Sequence, residues 1–231
     1  MKTRRTVRQK PYHRRAIKKD GEKPAAGYKQ TKNLDNFFRQ DFPPGSNVWG
    51  IPDTYPMTTD LTGIEWVSFG EKARITDAEN IGIHFYIDDY KFNSIWTSPD
   101  KWLDLFKNSK AVISPDFSNY TDMTAAQQLW NHYRRQWCAR YWQDRGVNIV
   151  SSLSWACGQL FDWSFMGIPE GTTVATSFVG DGIDKQRGVN ELLEVINRVK
   201  PCKIYIKANK TDAELLREHL DFELIQPYNW G

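Results

Sequence analysis

From residue 81 onward, short β-rich runs alternate with longer stretches of helical period. The runs at 81–88, 111–114, 147–151, 172–177 and 202–207 are rich in Ile, Val, Tyr and Thr and bounded by turn residues, as strands are. A shorter run at 66–69 predicts a strand ahead of them. Between the strands the spacing predicts helices at 99–107, with Pro99 near the first turn, and at 124–145, 185–199 and 211–220. In the longest of these, Leu129, Tyr133, Trp137 and Tyr141 recur every fourth residue, while Arg134, Arg135 and Arg140 fall on other faces; this is the pattern of an amphipathic helix. The link 151–172 is irregular, with a short helix expected near 159–165. Successive β-α units imply an α/β fold with a mainly parallel sheet, either an open doubly wound layer or a barrel-like one.

The N-terminal segment breaks this pattern. Residues 1–33 lack apolar periodicity, and the first 32 carry twelve Lys or Arg against two acids, Asp20 and Glu22, although the whole chain is only +3. Such a segment cannot bury enough apolar surface to fold alone, so 1–33 is expected to be a disordered basic arm and 34–231 a single α/β domain. Its positive charge suits a polyanion, and nucleic acid, DNA or RNA, is the expected partner, contacted by Arg4, Arg5, Arg8, Lys10, Arg14, Arg15, Lys18 and Lys19. The ten Trp, ten Tyr and twelve Phe lie mostly inside periodic apolar segments and read as core. Cys138, Cys157 and Cys202 are too widely spaced for a zinc site, and three is an odd number for a disulfide framework, so a reducing cytoplasm is expected. No apolar run approaches a membrane span and none follows the basic N-terminus as a signal peptide would, so no membrane association is expected.

Parallel α/β folds bind ligands at the carboxyl ends of their strands. There the sequence places Asp88, Asp89 and Asp116, a candidate metal site for Mg²⁺ or Mn²⁺ of the kind that phosphodiester chemistry uses. Gly180 and Gly182, ahead of a predicted helix, form a candidate anion-binding loop, although without the Lys-Ser/Thr of a P-loop. Arg134 and Arg135 are a second candidate for anion binding, with a solvated helix face that pairs with Asp144 and other acids as the alternative. His84, inside a strand, reads as a core residue. No Ser-His-Asp or Cys-His set can be assembled by spacing.

The runs HFYIDDYKFNSIW (84–96), SPDFSNYTDM (114–123), WNHYRRQWCARYWQDRG (130–146) and FMGIPEGTTVATSFVG (165–180) resemble the domain of unknown function 4417 family over roughly residues 50–209. The family occurs mainly in phages, plasmids and other mobile elements of bacteria, so the resemblance implies a bacterial or phage setting and carries no activity with it. Ser151, Ser152 and Leu153 depart from the family's usual Pro-Thr-Val. The expected function is a phage or mobile-element protein that binds nucleic acid through its arm, with a metal-assisted phosphodiester site on the body. The alternative is a non-enzymatic interaction protein, a virion component or a host-defence antagonist with a protein partner.

Overall fold

The computed structural model describes residues 45–57, 59–178 and 184–229. The expectations for the basic segment 1–33 and for Gly180 and Gly182 lie outside the described residues. Among the described residues, seven strands form one sheet, β1 (Glu65–Ser68), β2 (Ile81–His84), β3 (Ala111–Ile113), β4 (Ile149–Leu153), β5 (Thr173–Phe178), β6 (Lys203–Ala208) and β7 (Glu223–Leu224). They pair in sequence order, and every pair is parallel. A doubly wound sheet requires a reversal of strand order, and this one has none.

The sheet is curled. Trp66 on β1 and Tyr205 on β6 meet edge to face with ring centroids 5.4 Å apart, whereas five strand steps in a flat sheet would separate them by about 24 Å. The fold is an α/β half-barrel, the barrel-like form of the expected architecture. Its two faces separate by the period of two along each strand. Val67, Ile83, Val112 and Ile149 on one face pack with Trp137, Cys138 and Trp142, and Val174, Ile204 and Ile206 pack with Val189, Leu192 and Leu216. The other face gathers Trp66, Ile113, Val150, Ala175 and Tyr205 in the concavity. Gly82 belongs to this face because an added Cβ would come within 2.4 Å of the Trp66 ring.

The helices are α1 (Ser94–Thr97), α2 (Leu103–Asn108), α3 (Ala125–Gln143), α4 (Lys185–Val199) and α5 (Lys210–Arg217). Thr124 and Gln127 form a reciprocal capping box at the start of α3, and Asp184 and Asn209 cap α4 and α5 with their side chains. α2 starts later than Pro99 because residues 98–102 form turns, and the Pro99 carbonyl accepts the Trp142 indole N–H at 3.0 Å. The helix expected near 159–165 is instead a series of turns.

The amphipathic reading of α3 needs correction. Trp137 and Tyr141 are buried and stacked at 4.7 Å, as the four-residue period implies. A second stripe, Gln128, Asn131, His132, Arg135 and Gln136, is also buried, and it is polar. Its spacing of three and one residues puts all five on one helix face. Each reaches an irregular segment: Gln128 donates to Met123 O, Asn131 to Ser118 O, Arg135 to Pro115 O and Phe117 O, and Gln136 to Pro52 O, while His132 Nε2 lies 2.9 Å from Met166 O. Loops that run beneath a helix carry backbone carbonyls with no strand or helix partner. The polar stripe satisfies these carbonyls and so fixes the loop after β3 together with the segments around Pro52 and Met166.

Candidate functional site at the carboxyl rim

The three candidate metal ligands do not form one donor set: Asp89 and Asp116 lie near each other, and Asp88 stands apart. β2 ends at His84, four residues short of the expected strand end, so the chain has already left the sheet when it reaches Asp88. Asp88 immediately precedes a 3-10 turn, Asp89–Lys91, is exposed and binds Lys91 Nζ at 2.8 Å, which lowers its carboxyl from the ordinary value. Asp89 accepts the Ser118 hydroxyl at 2.8 Å and the Ser118 amide, which ties the loop after β2 to the loop after β3. Asp116 alone reaches the concavity. Among the described residues no group of three His, Cys, Asp or Glu is placed to hold a metal ion.

Arg134 and Arg135 do not form an anion-binding face either, because both lie along the loop-holding side of α3. The Arg134 guanidinium lies 3.9 Å from the Phe117 ring centroid and donates to Asn131 and Asn93. Arg135 is fully buried. Arg140 bonds Asp144 at 2.8 Å and also holds the Asp53 carbonyl, with its side chain largely covered.

The rim instead gathers a different set. Asp116 Oδ1 accepts the Ser152 hydroxyl at 3.3 Å and lies 3.9 Å from an Arg135 nitrogen, and its carboxylate also bonds the Ser154 hydroxyl. The Tyr86 hydroxyl is 3.5 Å from Ser152 Oγ, and Ser152 N donates to Ser114 Oγ at 2.8 Å. From the far side of the concavity, Lys207 Nζ donates to the Tyr86 carbonyl at 2.8 Å. Curling of the sheet makes this contact between the ends of β2 and β6 possible. His84 stacks on Tyr86, and its Nδ1 accepts the Tyr86 amide. The end of β4 therefore places the Ser152 hydroxyl beside Asp116.

Burial dominates the electrostatics. It pushes the Asp116 carboxyl up, more strongly than the Arg135 charge pulls it down, and it draws Arg135 down against the attraction of Asp116. Neither charged form is fully compensated by the other, as is common for a buried pair without close bidentate geometry. Burial lowers the Lys207 ammonium, with Asp116 opposing, and takes His84 to about 3, with Lys207 adding to the effect. A desolvated acid and a desolvated amine thus share one strand-end rim.

Of these residues, the sequence assigns a role to Asp116 and Arg135 alone, and it places Ser114, Ser152, Ser154 and Lys207 at the ends of strands. Ser152 and Lys207 carry a usable signal, a polar side chain at an inward position near the end of an otherwise apolar strand. Tyr86 carries none, since one more aromatic in HFYID looks like core.

The family model described as Domain of unknown function (DUF4417) matches residues 44–223, which contain β1 to β6 and the whole rim. The chain belongs to this family. Two relatives extend the match. The Gene 1 protein of Mycobacterium phage L5 is 39% identical over 161 residues, 68% of this chain and 69% of its own length. The Gene 1 protein of Mycobacterium phage D29 is 35% identical over 157 residues, 65% of this chain and 58% of its own length. No solved structure matches.

Proposed function

We propose that this DUF4417 chain is a bacteriophage or mobile-element protein that engages nucleic acid inside the bacterial host through residues 1–33, and that the carboxyl rim of its half-barrel is a ligand-binding or catalytic site. The observation that carries the second part is Asp116, half-buried beside Arg135 on the rim that also holds Lys207, at the end of the sheet where parallel α/β folds bind ligands. The first part is supported by the twelve basic residues of the N-terminal segment and by two phage-encoded relatives. Metal-assisted phosphodiester chemistry has no support in this donor set. Asp88 faces Lys91, and the remaining acids share their surroundings with the cations Arg135 and Lys207. Among the described residues no helix is long and apolar enough to cross a membrane.

The rim has a direct test in stability. A carboxyl raised by burial is costly to ionise in the folded state, so Asp116→Asn is expected to stabilise the fold by about 1 kcal/mol, the sign typical of functional-site replacements. A structural Asp116, as in a protein that serves only as an interaction surface, would give a clear loss in the urea midpoint instead. The N-terminal segment is tested by salt. Each phosphate contact that a Lys or Arg makes releases counterions, so deleting residues 1–33 is expected to weaken DNA and RNA binding and to flatten its dependence on salt. Equal affinities for the truncated and full chains across a salt series would remove the nucleic-acid assignment.

A further inference from the structure

We propose that Lys207 is a covalent nucleophile whose ε-amine, on the concave face at the end of β6, condenses with the carbonyl group of a small, uncharged aldehyde or ketone to form an imine. This rests on the assignment of the rim as the functional site and makes it specific. Lys207 shares with Lys72 and Lys110 a bond to a backbone carbonyl, and differs from both in lying at the carboxyl end of a strand on the concave face. Lys91, Lys185, Lys200 and Lys203 bond carboxylates at 2.8 to 3.3 Å, whereas Lys207 Nζ bonds a neutral backbone carbonyl. It is half-buried on the strand face that holds Tyr205, and its register partner on β5 is Ser177. Partial burial of this cation, with no carboxylate in direct contact, favours the neutral amine that imine formation needs.

The rim also holds the other groups that the reaction requires. The amine lone pair attacks the carbonyl carbon, the C–N bond forms, and the carbonyl π pair moves to oxygen. Transfer of a proton from nitrogen to that oxygen gives a neutral carbinolamine. Its hydroxyl must then leave as water, which takes a proton from an acid while the nitrogen lone pair forms the C=N bond. The resulting iminium proton returns to the acid. Asp116 is the carboxyl on this rim, and its burial favours the protonated form that can serve as this acid. The same carboxylate, when ionised, repels anions, so an uncharged carbonyl compound fits better than a phosphorylated one. Hydrolysis of the imine reverses these steps.

The test is reductive trapping on the full chain. Formaldehyde, acetone and dihydroxyacetone are each supplied with borohydride, which reduces an imine to a stable secondary amine, and the modified lysines are mapped by peptide mass spectrometry. Lys207 is expected to be labelled at least about tenfold faster than the exposed Lys200 and Lys185, a modest part of what a positioned general acid contributes. Lys207→Arg keeps the charge and a donor for the Tyr86 carbonyl and should lose the fast label, and Asp116→Asn should slow labelling at Lys207. Labelling of Lys207 no faster than of Lys200 and Lys185 with all three probes overturns the proposal. If Asp116→Asn is then still stabilising, the rim remains a functional site and only the covalent chemistry is wrong. If Asp116→Asn is destabilising, the assignment of the rim fails as well.

Discussion

Replacing Arg135 by Met is expected to destabilise the protein by about 3–5 kcal/mol, the range for removing one partner from a buried charged network. Methionine is close in volume and suits a helix, so packing and propensity change little. The polar losses decide the outcome. The Pro115 and Phe117 carbonyls lose their donors at 3.2 and 2.9 Å, and Asp116 faces Asp89 without the intervening cation. The contrast with Asp116→Asn is sharp because the pair is asymmetric. Arg135 serves two backbone carbonyls besides Asp116, while the burial of Asp116 already disfavours its charge. Urea denaturation of the two single variants and the double variant checks this, and Asp116→Asn is expected to recover part of the Arg135→Met loss. An Arg135→Met variant as stable as the parent would show that the guanidinium is not holding the 115–117 loop.

The strands were legible in the sequence because parallel strands buried on both faces read as short continuous β-rich runs, and Ala111–Ile113 and Lys203–Ala208 differ little from the runs expected. β2 was overextended because Phe85 and Tyr86 continue the same apolar pattern after the chain has left the sheet. That error put Asp88 on the rim. β7 has two residues, too few for any period to register. The polar stripe of α3 could not be read as buried, because its burial depends on carbonyls at 52, 115–123 and 166, remote in the chain and brought beneath the helix only by the fold. Gln, Asn, His and Arg at helical spacing ordinarily mark a solvated face. Lys207 became a candidate only with the curl of the sheet, which carries the end of β6 to Tyr86.

Stability is expected to fall steeply as the pH drops below about 6.5. His84 and His132 are both buried, and burial is the main reason that each titrates near 3 in the folded state, with Lys207 beside His84 and Arg135 beside His132 adding to the effect. In the unfolded chain both take up protons near the ordinary value of about 6.5. The unfolded state therefore binds more protons between those limits, so the contribution of these residues is complete above pH 6.5 and is lost as the pH falls toward 3. Each imidazole contributes a slope of at most about 1.4 kcal/mol per pH unit, and the two together at most about 2.7. Asp116 acts in the opposite sense. Its folded-state value is raised, so the cost of ionising it is present at neutral pH and is relieved on acidification, which offsets part of the loss at the acid end. Chemical denaturation between pH 4 and 8 measures the net slope, and His132→Gln, which keeps a donor for the Met166 carbonyl at 2.9 Å, should remove about one proton's worth of it. A parent protein equally stable at pH 4 and pH 7 would mean that the two imidazoles accept protons inside the fold, and α3 could not then be packed against the 163–167 loop as tightly as the His132–Met166 contact requires.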